Sequence, residues 1–436
     1  MKGRINVKLL IKHGHVLDPS TGIDGIYDLL IENGMIKAVE KHIEGEADEV
    51  VDASDRYVMP GFIDLHVHLR EPGFEYKETI KTGSMAAARG GFTSICAMPN
   101  TNPAADSVES IEFILKKAKK DALVNILPVG AITKGQSGLE LTDISGMVKA
   151  GAIAISEDGK SVMDTSIYLE SMKIAGKVGI PILAHCEDKS LVGIGVMNEG
   201  AKSRELGLPG ISNAVEDVIA ARDIILAKEA GAKLHLCHCS TKDSVTFVKM
   251  AKEDHLPVTA EVCPHHFTMS DDEIASDHGN YKMNPPLRSK EDVQALKEGL
   301  RDNILDVIAT DHAPHGAEEN NQSMAAAPFG IVGLETAFSL TMTELVKEGY
   351  LSPMQMVEKL SYNPAKVIGI DKGSLAVGKI ADVVIGDPNA RYKIDVNEFV
   401  SKGRNTPFDG KEVYGRIETT IVAGKVVYNI TRSEEI

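Results

Sequence analysis

The residues best suited to chemistry are histidines and acids at the ends of short apolar runs. His66 and His68 close the run GFIDLHVHLR (61–70). In an extended strand, side chains at i and i+2 leave from one face, about 6.7 Å apart along the chain, so two imidazoles can converge on one ion. By itself this pair could also be two histidines of a polar network. Further runs end the same way: TSICAMPN in Asn100, AIAISED in Glu157-Asp158, PILAHCE near His185, KLHLCHCS near His238, and DVIATDH in Asp311-His312. One such ending is an accident, whereas five form a pattern. Nitrogen and carboxylate donors in this mixture suit Zn²⁺, with Mn²⁺ or Co²⁺ as substitutes.

The remaining histidines and the five cysteines are less informative. Strand alternation puts Cys237 and Cys239 on the face opposite His238, so both are expected against outer helices as small apolar residues. Cys96 and Cys263 are expected in the core. His265-His266 either reach the site or serve a loop. His13, His15, His42, His255 and His278 fall outside the pattern and receive no role.

The elements that must position these residues follow from periodicity. Eight strand-length runs, at 61–70, 93–100, 125–132, 152–158, 181–187, 233–240, 258–264 and 306–312, alternate with helix-period stretches such as SVESIEFILKKAKK and NAVEDVIAARDIILAKEAG. Eight strand–helix repeats over about 300 residues predict an α/β fold, a (β/α)8 TIM-type barrel, whose active site lies at the C-terminal ends of its strands. No glycine-rich phosphate cradle follows any run. Both ends of the chain read instead as short strands and turns, with Asn33-Gly34 and Ala423-Gly424 as hairpin signals. Neither end holds enough strands for its own core. The expected organisation is a barrel at 59–365 and a small β-domain assembled from 1–58 and 366–436.

Bulk properties narrow the function class. The chain has 436 residues, 43% apolar and 25% charged, as in an ordinary globular protein. Its net charge of −16 argues against nucleic acid, which wants a basic footprint. No run approaches the ~18 apolar residues of a membrane helix. Few, scattered cysteines and no secretory apolar segment at the N-terminus point to a reducing, cytoplasmic setting.

The same residues carry a resemblance. PGFIDLHVHLREPG (60–73) has the Asp-x-His-x-His signature of the amidohydrolase superfamily. Its His-Leu-Arg extension, Met98-Pro99-Asn100-Thr101, Met283-Asn284-Pro285-Pro286-Leu287-Arg288 and Asp311-His312-Ala313-Pro314-His315 resemble class I dihydroorotases along the whole chain. The resemblance implies that His66, His68 and Asp311 hold one metal and His185 and His238 a second, two Zn²⁺ being favoured over one. Many superfamily members bridge the ions with a carboxylated lysine. This chain has none at the strand end; class I dihydroorotases are similar to it in using an aspartate there, which implies Asp158 as the bridge, with Lys160 a weaker alternative.

The implied activity is reversible, zinc-dependent hydrolysis of (S)-dihydroorotate to N-carbamoyl-L-aspartate, the third step of pyrimidine synthesis, with Asp311 moving the proton. The family substrate carries a carboxylate, which Arg70 can clamp with two parallel hydrogen bonds. His68, Leu69, Asn100, Asn284 and His315 match further substrate positions, and the backbone of Phe329-Gly330 could pair with the ring edge. The segment 315–330 has few apolar anchors and reads as a mobile loop. The resemblance also implies a homodimer and an association with aspartate transcarbamoylase. A hydantoinase or allantoinase would be the nearest rival enzyme, and a non-catalytic scaffold would be expected to have lost some of these ligands.

Overall fold

The computed structural model describes residues 8–431; the first seven residues assigned to the small β-domain, and the last five, lie outside that range. All eight expected runs form strands of one parallel sheet: Phe62–Val67, Phe92–Ala97, Asn125–Ala131, Ala154–Ser156, Ile182–Ala184, Leu234–Leu236, Val258–Val262 and Val307–Ile308. They pair in sequence order, and a bridge between Val67 and His312 joins the last strand's continuation to the first. The His68 amide donates to the His312 carbonyl at 2.9 Å. The barrel is therefore closed. Beside this seam the Asp64 carboxylate accepts from the Thr310 hydroxyl at 2.6 Å and amide at 3.1 Å.

The strands are nearly all apolar because both faces are covered. Ile63, Leu65, Met98, Val129, Ala154, Leu183, Val307 and Ala309 fill the interior, while Phe92, Ile126, Ile155 and Ile182 pack outward among helix residues such as Ile111 and Met172. The helices start where the sequence supplies caps. Ser107 closes a capping box on helix Val108–Asp121, whose core side carries Ile111 and Ile114.

The second sheet joins the two ends of the chain. Strands Lys8–Asp18, Ile23–Glu32, Met35–Glu40, Glu49–Asp52 and Tyr57–Pro60 share it with Val383–Lys393, Glu412–Val422 and Lys425–Asn429. Tyr57–Pro60 is the joint, parallel to Lys8–Asp18 and antiparallel to Val383–Lys393. Leu9, Ile11, Leu29, Ile31, Val383, Ile385 and Ile421 give it a buried core.

Both expected hairpins form, with positive φ at Asn33 (55°), Gly34 (78°), Ala423 (47°) and Gly424 (77°), the mirror-image turns that match strand twist. The two turns abut, and a Cβ on Gly34 would lie 2.6 Å from the Ala423 carbonyl oxygen. Gly34→Val should therefore lower stability by about 1–3 kcal/mol, since a branched side chain is strained at this φ. Denaturant titration should show an earlier midpoint, with metal content per folded chain unchanged; an unaltered midpoint would contradict the turn-on-turn contact.

Candidate active site

At the mouth of the barrel the six expected donors meet. Asp158 lies among the imidazoles: Oδ1 is 3.1 Å from His66 Nε2 and 3.5 Å from His185 Nδ1, and Oδ2 is 3.5 Å from His68 Nε2. Asp311 Oδ1 is 3.0 Å from His68 Nε2 and 3.6 Å from His66 Nε2. His185 Nδ1 and His238 Nε2 face one another at 2.9 Å. Ligand atoms of His66, His68 and Asp311 lie within 4.8 Å of one another, as do those of His66, Asp158 and His238. Lys160 is exposed, whereas Asp158 is buried among the imidazoles.

Local backbone devices aim these side chains. Relative to its neighbour, the first strand carries an extra residue between Asp64 and Val67, a bulge that re-aims the side chains beyond it. Arg70, His238 and Asp311 all have positive φ, at 61°, 36° and 49°, a backbone region uncommon for non-glycine residues. The turn at His238 also corrects one expectation. Leu234 and Leu236 pack outward, so Cys237 follows the strand's alternation into the interior cluster with Leu183 and Val307, near His66 and Glu261; the turn brings His238 to the same side, and only Cys239 packs outward.

Residues not singled out from sequence hold the donors in place. Glu261, buried in strand Val258–Val262, takes His66 Nδ1 at 3.1 Å with one oxygen and His235 Nε2 at 3.0 Å with the other. His235 Nδ1 is 2.8 Å from the Thr259 hydroxyl. Glu187 is 3.2 Å from His185 Nε2 and accepts from Asn284. Sequence does carry a signal for Glu261, since an acid inside an apolar strand must have a partner there. It does not carry the partner's identity.

A cavity of about 190 Å³ opens over the cluster, lined by His68, Arg70, Asn100, Asp158, His185, His238, Asn284, Asp311, His315, Phe329 and Gly330. Asn100 links two donors, with Oδ1 2.8 Å from His68 Nδ1 and Nδ2 donating to Asp158 at 3.2 Å. Arg70 donates to the Pro314 carbonyl at 3.2 Å, and among the described residues no carboxylate forms an ion pair with it. His315 receives Lys77 on Nδ1 at 3.3 Å and donates from Nε2 to the Phe329 carbonyl at 2.8 Å. Leu69 points elsewhere, into the core over Gly83. Segment 315–330 is pinned rather than loose: it contains a helical turn at Ala317–Asn320, Tyr76 donates to Glu319 at 2.7 Å, and the Met324 amide donates to Asp277. His265 and His266 are buried behind the cavity, with Cys263 beside them.

Burial alone would raise the carboxyls of Asp158 and Asp311, but the charges of His66 and His68 override it and hold both well below the usual range. Burial, with Arg70 and Lys77 nearby, lowers His315 to about 3, so it stays neutral. The cluster fits divalent metal. Two carboxylates and four imidazoles converge at buried positions, and His66 Nε2 has no well-aligned hydrogen-bond partner.

The fold and this donor set define a metal-dependent hydrolase barrel of the amidohydrolase type. Family models agree: residues 55–244 match one described as Dihydro-orotase-like, and residues 213–428 match the Amidohydrolase family. Solved structures with this fold include an L-hydantoinase from Arthrobacter aurescens (TM-score 0.87, 26% identity, 98% of this chain and 96% of that one). A D-hydantoinase from Thermus sp. gives a TM-score of 0.84 at 28% identity, over 97% and 95% of the two chains. In sequence the chain is 50% identical to a dihydroorotase from Pelotomaculum thermopropionicum and 46% identical to one from Ruminiclostridium cellulolyticum, each over 97% of this chain and 98% of the relative. The chain belongs to the dihydroorotase family.

Glu261 orients His66, so Glu261→Ala should weaken metal affinity by about 10–100-fold, the usual effect of losing a carboxylate behind a ligating histidine. Competition against a chelator measures this, and affinity within twofold of the parent would remove Glu261 from the metal centre.

Proposed function

We propose that this chain interconverts (S)-dihydroorotate and N-carbamoyl-L-aspartate as a zinc-dependent cyclic amidase. The observation that carries the substrate is Arg70. A guanidinium lines the cavity beside the His/Asp cluster, and no protein carboxylate forms an ion pair with it among the described residues. That is the group best shaped to hold a substrate carboxylate. The ring of hydantoin lacks that carboxylate, which favours dihydroorotate over the substrates named for the structural neighbours.

In this reading His66, His68 and Asp311 would hold one Zn²⁺, and His185 and His238 a second, with Asp158 between them. Bound metal of this kind supplies an acidic water and polarises the scissile carbonyl. The protein does the rest. Arg70, Asn100 and Asn284 orient the substrate, while His315 and the Phe329-Gly330 backbone form the wall at the ring edge. Asp311 takes the proton of the attacking water as the carbon–oxygen bond forms. It delivers that proton to the amide nitrogen as the ring carbon–nitrogen bond breaks. Ring closure reverses these steps. Leu69 enters the proposal only through its backbone, since its side chain is in the core.

The division into a barrel at 59–365 and a β-unit from 1–58 and 366–436 belongs to the same proposal, as do cytoplasmic location, a homodimer and a transcarbamoylase partner. The last two rest on family resemblance. No helix of the described residues is long and apolar enough to cross a membrane.

Two substitutions test the chemistry. Asp311→Asn should reduce turnover on the order of 10²–10⁴-fold with at least one metal retained, because the amide cannot shuttle a proton; turnover within threefold of the parent would refute the role. Arg70→Lys keeps the charge but loses the planar fork, a loss of about 1.5–3 kcal/mol. That corresponds to about 10- to 150-fold in kcat/KM for dihydroorotate. Metal content and any activity on an uncharged cyclic amide should be little changed. Equal slowing of both substrates would show that Arg70 maintains the site's structure instead.

A further inference from the structure

The wall of the cavity is tied together by a side chain that does not line it. Asn405 comes from the stretch between strands Val383–Lys393 and Glu412–Val422 and is 1% exposed. Its Nδ2 donates to the Ala313 and Gly330 carbonyls, each at 2.9 Å. Its Oδ1 accepts the His315 amide at 3.1 Å, and its own carbonyl accepts the Val332 amide at 3.0 Å. Three of these partners, Ala313, His315 and Gly330, line the cavity.

The packing leaves little slack. Gly330 has φ 148°, and a Cβ there would lie 2.7 Å from the Ala313 carbonyl oxygen and 2.8 Å from His315 Nε2. A Cβ on Gly403 would lie 2.7 Å from Pro314 Cβ and 2.9 Å from Asn405 Oδ1. Only a carboxamide can serve this place, because two carbonyls need donors while one amide needs an acceptor. Aspartate would face both carbonyls with no proton to give.

We infer that Asn405 is a positioning residue for substrate: it fixes the spacing between His315 and the Phe329-Gly330 peptide, and so sets the fit of the ring and its carboxylate. This rests on the dihydroorotase reading for the substrate, though not for the geometry. In metal-loaded enzyme, Asn405→Asp should raise KM for dihydroorotate at least tenfold, with kcat per bound metal within about threefold and metal stoichiometry unchanged. Amide hydrogen exchange should quicken across residues 313–332 and stay unchanged in the strands that carry His185 and His238. Asn405→Gln keeps donor and acceptor one methylene further out. It should give a smaller rise in KM, and it provides the test if the aspartate variant does not fold.

A residue that only supports folding would lower the active fraction and leave KM alone. KM within twofold of the parent in both variants, or unaltered exchange at 313–332, would overturn the proposal. If the parent itself does not turn over dihydroorotate, the substrate reading fails, and hydrogen exchange still decides whether Asn405 holds the wall.

Discussion

Two carboxylates, Asp158 and Asp311, are buried within 3–4 Å of the same imidazoles. Negative charge out of water is tolerated only against compensating positive charge and well-placed donors. Much of the mouth of the barrel can be understood as meeting that demand. The histidines face the acids, Asn100 bonds one member of each kind, and the donor set fits a divalent cation. A barrel suits the task because its parallel strands end on one rim. Donors from residues far apart in sequence then meet on backbone that is itself hydrogen-bonded.

Behind the donors lies a second requirement, that each imidazole be held at a fixed angle. Glu261 does this for His66 and Glu187 for His185, each by accepting the ring nitrogen that faces away from the cluster. Glu261 is held in turn by His235, so the chain of contacts ends within the barrel wall rather than in solvent. Around the cavity the same logic applies to backbone. His315, Phe329 and Gly330 come from an irregular stretch, and irregular backbone keeps its shape only when its polar groups are bonded. Asn405 supplies part of those bonds from another segment, and Lys77 holds the His315 ring. The C-terminal segment therefore contributes, through Asn405, to the shape of the cavity without lining it.

The expected strands are all present because an apolar run bounded by turns is a local property, and so is a hairpin dipeptide. The observed strands are shorter than the runs, Val307–Ile308 most of all, because the polar residues at the run ends leave the ladder to form the site. Leu69 shows the limit of reading by position. Adjacent to His68 and Arg70 in sequence, its side chain leaves in another direction and packs on Gly83. Segment 315–330 shows a second limit: its polar composition suggests mobility, yet its polar groups have partners in Tyr76, Asp277 and Asn280.

By itself the sequence determined the eight-strand order, the pairing of the two chain ends and the row of polar residues at the strand ends, from which the family resemblance singles out six donors. Each comes from spacing along the chain and from the rule that apolar faces are buried while strand-end polar groups share one rim. Tertiary structure alone decided that His238 turns to the same side as Cys237, that Glu261 serves both His66 and His235, and that Asn405 spans 92 residues to hold Ala313. These depend on a left-handed turn at His238, a bulge in the first strand and contacts between distant segments. No periodicity encodes them, because each is set by the packing of the whole barrel against the terminal sheet.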